Sequence, residues 1–111
     1  MNSTLLQTES EFHVRVDDVL AAIETALDAA GADIDSDING GILTLEFFDG
    51  SKVIINRQSP LREIWVAAKS GGFHFRFDGG AWRDTRGNET LDALLTRVIA
   101  EQSGDVMPIT L

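Results

Sequence analysis

The reading of residues 33–56, DIDSDINGGILTLEFFDGSKVIIN, decides the fold. Asp33, Asp35 and Asp37 alternate with Ile34, Ser36 and Ile38, which is the period of a strand and puts three acids on one face. Aspartate is a poor strand former. An edge strand with a wet outer face is therefore predicted, where charge also discourages pairing with a foreign sheet. Asn39-Gly40 predicts a type I′ hairpin turn, whose two central residues need positive φ. Ile42–Phe48 is the return strand, Asp49-Gly50 a second turn of the same kind, and Lys52–Asn56 a third strand. Three strands joined by tight turns make an antiparallel meander.

The meander continues toward the C-terminus. Residues 57–60 read as a loop, Glu63–Lys69 as a fourth strand, and Gly71-Gly72 as the turn into Phe73–Phe77, whose three phenylalanines share one face. Asp78-Gly-Gly80 turns again, and Ala81–Asp84 fits a short sixth strand. Asn88 is the expected N-cap of a closing helix with Leu91, Leu94, Leu95, Val98 and Ile99 as its buried stripe. Upstream, Phe12, Val16, Val19, Leu20, Ile23, Leu27 and Ala30 recur at spacings of three and four, an amphipathic helix with Ser10 as N-cap and Gly31 as its stop. The expected fold is α+β: a two-layer sandwich with two terminal helices packed on one face of a five- or six-stranded antiparallel sheet. One domain is expected over residues 10–104, with a flexible extension at 1–9 and a tail at 105–111. The first residues lack the basic-then-apolar layout of a secretory signal, so a cytoplasmic protein is expected.

Charge narrows the function. The chain carries a formal −9. Residues 1–49 hold eleven acids and one base, Arg15, whereas residues 50–111 hold seven acids and eight bases. Such a surface repels nucleic acid and anionic lipid and attracts cations or basic protein patches. There is no cysteine, which excludes a disulfide scaffold, a thiolate metal site and a cysteine nucleophile. No nucleophile elbow, phosphate-binding loop, dinucleotide fingerprint or His-Glu-x-x-His motif occurs. The histidines, His13 and His74, form no nucleophile–base pair in the sequence. The chain does not read as an enzyme.

The carboxylates remain. Asp17, Glu24 and Asp28 lie within roughly 40° of one another beside the apolar arc of the first helix, with His13 toward the same side. Glu11 and Asp18 form a second acidic line, and Asp33, Asp35 and Asp37 follow in the chain. If the first strand runs beside the helix, these sets merge into one ridge. A solvated helix face next to a protected edge strand is the plainer explanation. Against it stands the lone base among 49 residues, because a merely solvated face mixes both signs. Oxygen donors of this kind suit hard cations, held openly and without a cage.

Further along, Ile38-Asn-Gly-Gly-Ile-Leu-Thr-Leu-Glu-Phe47, Gly50-Ser-Lys-Val-Ile-Ile-Asn-Arg-Gln58, Pro60-Leu61, Ile64-Trp-Val-Ala-Ala68 and Gly71-Gly-Phe-His-Phe75 closely resemble the signature of the frataxin family in its bacterial form. Ser10-Glu-Phe-His13 resembles that family's opening, and the likeness extends over about residues 10–104. The resemblance implies an iron-binding regulator of iron–sulfur cluster assembly that binds cysteine desulfurase and the scaffold protein and senses or donates iron. It implies iron, Fe2+ or Fe3+, held weakly by Glu11, Asp17, Asp18, Glu24, Asp28, Asp33, Asp35 and Asp37. It implies partner contacts on an exposed sheet face at Asn39, Asn56, Arg57, Gln58 and Trp65. It implies a monomer without metal; the alternative is an iron-storage or ferroxidase protein that oligomerises with metal. The stretch Asp28-Ala-Ala-Gly-Ala-Asp33 is shorter and less acidic than in bacterial relatives, which speaks against a high iron stoichiometry.

Overall fold

The computed structural model describes residues 8–111, so residues 1–7 of the expected N-terminal extension lie outside the described residues. The chain order is α1 (Glu9–Ala29), β1 (Asp35–Asn39), β2 (Ile42–Glu46), β3 (Lys52–Gln58), a 3-10 turn (Ser59–Leu61), β4 (Glu63–Ala68), β5 (Gly71–Asp78), β6 (Ala81–Asp84) and α2 (Leu91–Ser103). The strands form one antiparallel sheet in sequence order, β1 to β6. Both helices pack on the same face, where Phe12, Leu20 and Ile23 of α1 and Leu94, Leu95 and Ile99 of α2 join Leu43, Leu45, Ile55, Ile64 and Phe75 in one core. This is the expected α+β two-layer sandwich, with six strands.

The start of α1 differs from the sequence expectation. Thr8, not Ser10, is the N-cap: its hydroxyl accepts from the Glu11 N–H at 3.1 Å, and the Glu11 carboxylate accepts from the Thr8 N–H at 2.8 Å. This reciprocal pair satisfies two of the donors that a helix start leaves open. At the other end Gly31 adopts φ 64°. The Gly31 N–H donates to the Asp28 carbonyl and the Ala32 N–H to the Leu27 carbonyl, a Schellman closure. The last turn carries no basic residue. Asp28 there faces the negative end of the helix dipole, an unfavourable placement of about 0.3–1 kcal/mol.

The hairpins also correct the expected turns. Asn39 pairs with Ile42, so the central residues of the first turn are Gly40 and Gly41, at φ 62° and 76°, rather than Asn39-Gly40. Asp49-Gly50 is not a two-residue turn. The Gly50 N–H donates to the Phe47 carbonyl and the Phe47 N–H to the Ser51 carbonyl, with Gly50 at φ 84°, a three-residue loop. Gly71 and Gly72 pair with Ala68 and Ala67 inside β5 instead of turning. Arg57 and Gln58 extend β3 instead of forming a loop. β1 is an edge strand, as expected, but begins at Asp35, with Asp33 ahead of it.

In an antiparallel sheet, directly paired residues share a face. Ser36 and Ile38 pair with buried Leu45 and Leu43, so they lie on the helix side. Asp35 and Asp37 therefore lie on the opposite, open side, with their partners Glu46 and Thr44.

α2 begins at Thr90, whose hydroxyl accepts from the Ala93 N–H at 3.2 Å; Asn88 is not the cap. It ends at Gly104, φ 83°. The tail then folds back. The Ile109 N–H donates to Thr96 Oγ1 at 3.0 Å, the Leu111 N–H to Asp92 Oδ2 at 2.7 Å, and the Ile109 side chain joins the core.

Candidate acidic ridge and open sheet face

The structure brings part of the predicted ridge together. Ser36 Oγ donates to Glu24 Oε2 at 3.0 Å, which ties α1 to β1 and sets the strand alongside the helix. Asp28 is exposed at the C-terminal end of the same helix and Asp33 in the link that leads to β1. Asp35 and Asp37 round the edge onto the open face. Glu11 lies a turn from the helix start, engaged in the cap. Asp18 points to the other flank of α1, where it lines a cavity of about 360 Å³ with Arg15, Phe77, Trp82, Asp92 and Leu111.

Asp17 is already neutralised. Arg57 Nη2 donates to Asp17 Oδ1 at 2.6 Å, Arg57 Nη1 contacts His13 Nδ1 at 2.9 Å, and Arg57 Nε donates to the Gly41 carbonyl at 3.3 Å. The Arg57 side chain is 15% exposed. Its partner across the sheet is buried Ile64, so it projects toward the helices. The expectation that Arg57 lies on the exposed sheet face is therefore corrected. Strand alternation, continued from Val53 through Ile55, would have placed it on the helix side.

Two carboxylates are held below their ordinary range by local hydrogen bonds. For Glu11 the leading cause is the backbone bond from Thr8; for Asp49 it is the Ser51 hydroxyl. The donors along the ridge are carboxylate oxygens, the set that hard and borderline divalent cations take, and iron(II) fits that chemistry. Among the described residues no three His, Asp or Glu side chains are arranged to hold one ion. The ridge offers separate carboxylates rather than a cage. Toward the Asp28 end the negative end of the helix dipole adds to the acids, and the last turn of α1 carries no base.

The open face holds the rest of the predicted residues. Asn39, Asn56, Gln58 and Trp65 lie on it, Asn56 directly opposite Trp65. The Trp65 ring stacks on His74 with centroids 4.2 Å apart and planes 7° apart. Trp65 Nε1 donates to Glu63 Oε1 at 2.8 Å, and Arg76 Nη2 to Glu63 Oε2 at 2.6 Å. Glu63, 5% exposed, is the buried charged residue among the described residues, and these two bonds satisfy it. Sequence reasoning passed over Glu63, because a glutamate at a strand start carries no pattern that marks it as buried.

No helix among the described residues is long and apolar enough to cross a membrane. The frataxin-like domain model matches residues 6–105. A protein of Paraburkholderia phymatum named iron-sulfur cluster assembly protein CyaY is 50% identical over 102 residues, which cover 92% of this chain and 97% of that one. Its namesake in Burkholderia mallei is 50% identical over 105 residues, covering 92% of this chain and 95% of that one. Among solved structures, frataxin from Psychromonas ingrahamii superposes with a TM-score of 0.89 at 37% identity, covering 95% of this chain and all of that one. A trimeric frataxin of Saccharomyces cerevisiae complexed with ferrous iron gives 0.68 at 27% identity, covering 89% and 88%. With its sequence matched from end to end of the domain and its sheet and helices superposed, this chain belongs to the frataxin-like family.

Proposed function

We propose that this chain is an iron-binding regulator of iron–sulfur cluster assembly: it binds cysteine desulfurase through its acidic face and senses or donates iron. The observation that carries the reading is the 50% identity, over 92% of the chain, to proteins named for iron–sulfur cluster assembly. The charge layout supports it. The carboxylates of Asp28, Asp33, Asp35 and Asp37 make no hydrogen bond or ion pair among the described residues, in a chain half that has Arg15 as its one base. Such acids cost folding free energy, and a cation or a basic protein surface would relieve them. Iron here is cargo or signal, met by open carboxylates and held weakly and exchangeably.

A storage or ferroxidase role that oligomerises with metal is the second reading. The trimeric, ferrous-complexed yeast frataxin favours it.

The test is an anaerobic Fe(II) titration followed by amide NMR, with a desulfurase pull-down with and without Fe(II) on the same protein. The first reading expects perturbation at Glu24, Asp28 and residues 33–37, competition by Mn(II) or Ca(II), and capture of the desulfurase. Rapid aerobic Fe(II) oxidation with stable assemblies and no desulfurase capture would favour storage. Perturbation centred on His74, with the ridge silent, would overturn the metal assignment.

A further inference from the structure

Phe48 stands on the β2–β3 loop and is 96% exposed, while its neighbour Phe47 is 4% exposed in the core. The loop beneath it is braced. The Phe47 N–H donates to the Ser51 carbonyl and the Gly50 N–H to the Phe47 carbonyl, both at 2.9 Å. The Ser51 N–H and hydroxyl both donate to Asp49 Oδ1, at 2.9 and 2.6 Å. Gln102 of α2 donates to Ser51 Oγ at 3.0 Å and accepts from the Lys69 N–H at 3.0 Å, which ties the loop to α2 and to the β4–β5 turn. One exposed apolar side chain is ordinary on a protein surface. Here there are two at one end of the sandwich. Val106, 77% exposed, follows the end of α2, and among the described residues Phe48 and Val106 are the most exposed of the large apolar side chains.

The charge at this end has one sign in excess. Ser36 is bonded to Glu24; from there α1 runs on to Ala29 and β1 runs back to Asp35, opposite Glu46, so the end of α1 lies by the β2–β3 loop. Gln102 brings the end of α2 to the same loop. Both helices thus direct the negative ends of their dipoles here, and neither has a base in its last turn. Lys52 lies opposite Glu46, Lys69 is 3.9 Å from Asp49, and Glu101 is 3.7 Å from Arg97. These bases are matched one for one, which leaves Asp28, Asp33, Asp35 and Asp105 in excess.

We infer that Phe48 is an aromatic anchor for a protein partner: it enters an apolar pocket rimmed by lysine or arginine, with Val106 at the edge of the contact. The inference rests on the proposed function, which supplies cysteine desulfurase as that partner. A braced loop presents the ring with little ordering left to do on binding. Aromatic side chains at the centre of an interface carry much of its affinity, and the charges around them steer and orient the encounter. The same acids argue against the other occupants, because a second copy or an anionic lipid surface would set negative charge against negative charge.

The experiment removes the ring and leaves the charge. Phe48→Ser, Phe48→Leu and Val106→Ser are titrated against cysteine desulfurase alongside wild type, at low and high NaCl, with thermal melts of each. Val14→Ser, at a 60% exposed site on α1, is the control. Phe48→Ser should bind about tenfold more weakly or worse, as loss of an anchor does, with a melting temperature no lower than that of wild type. The factor should be the same at both salt concentrations, because salt screens charges and not an apolar contact. Phe48→Leu should recover most of the affinity, Val106→Ser should lose several-fold, and Val14→Ser should bind as wild type does. Wild-type affinity in Phe48→Ser, or an equal loss in Val14→Ser, would overturn the inference and leave the proposed function standing. Failure of wild type to bind the desulfurase would overturn both. A metal-free dimer in sedimentation that Phe48→Ser dissolves would also overturn it, making a second copy the occupant.

Discussion

Arg57 reaches from β3 across the helix-facing side of the sheet to Asp17 of α1, 2.6 Å away. With its further bonds to His13 and Gly41 it joins helix, strand and first hairpin. Asp17 therefore belongs to the structure as much as to the ridge. Asp17→Asn should destabilise the protein by about 1 kcal/mol, the range of a partly exposed pair. That is a fall in melting temperature of about 4 °C for a domain of this size. A thermal melt at low salt checks it, and an unchanged or raised value would show the pair to be idle.

The acids without partners should behave in the opposite way. Asp35→Asn removes a like charge directly opposite Glu46, Asp37→Asn a second acid on the same face of β1, and Asp28→Asn an acid from the C-terminal turn of α1. Together they should raise the low-salt melting temperature, each site contributing about 0.2–1 kcal/mol. In wild type NaCl should raise the melting temperature by screening, and Mn(II) should do so at far lower concentration, because an ion bound only to the folded state stabilises it by mass action. The triple variant should lose most of both responses. Melts with and without each salt measure this.

The helix cap predicts a pH effect. The Thr8 hydrogen bonds lower the pKa of Glu11 in the folded chain. A carboxylate with a depressed folded pKa contributes stability that is present above its unfolded value, about 4.3 for glutamate, and is lost as the pH falls through the folded value. Glu11→Gln should therefore flatten the acid limb of stability against pH while leaving the neutral-pH fold intact. Urea titrations from pH 3 to pH 7 on both proteins are the check. Parallel curves would mean that the cap does not depend on charge.

The C-terminal segment should be part of the stable unit. Ile109 is 4% exposed in the core, and two backbone amides of its segment are bonded to α2. Ile109→Ala should cost about 2–4 kcal/mol, the range for truncating a buried isoleucine. Denaturant unfolding of the variant tests this, and a loss below half a kcal/mol would show the segment to be loosely held.

Much of this architecture was legible because periodicity is a strong signal. The apolar spacing from Phe12 to Leu27 gives the helix, and the acid alternation gives the edge strand, although Asp33 falls ahead of its first residue. Turn register was harder. Asn39-Gly40-Gly41 offers two settings that keep Leu43 and Leu45 on the same face; the observed one pairs Ile38 with Leu43 instead of with a glycine. Two caps were misplaced although their signals were present: Thr8 stands three residues before Glu11, and Thr90 directly precedes the first buried leucine of α2. The side of the sheet that Arg57 takes was missed because residues 57–60 read as a loop, so strand alternation stopped one residue too early. The Glu63–Trp65–Arg76 network is different in kind. It joins β4 to β5, and neither strand alone announces it.

On the proposed function, the acids at the Asp28 end of the ridge bind a basic surface of the desulfurase. The dissociation constant of the metal-free chain with cysteine desulfurase, measured from about 50 to about 500 mM NaCl, decides this. Wild type is compared with a Glu24→Gln, Asp28→Asn, Asp33→Asn variant, which leaves the Asp17–Arg57 pair in place. Wild-type affinity should fall steeply with salt, mainly through slower association, and the variant should bind at least tenfold more weakly at 50 mM with a shallower salt dependence. Equal affinity of the two proteins, or a wild-type complex indifferent to salt, would mean that these acids do not bind the desulfurase.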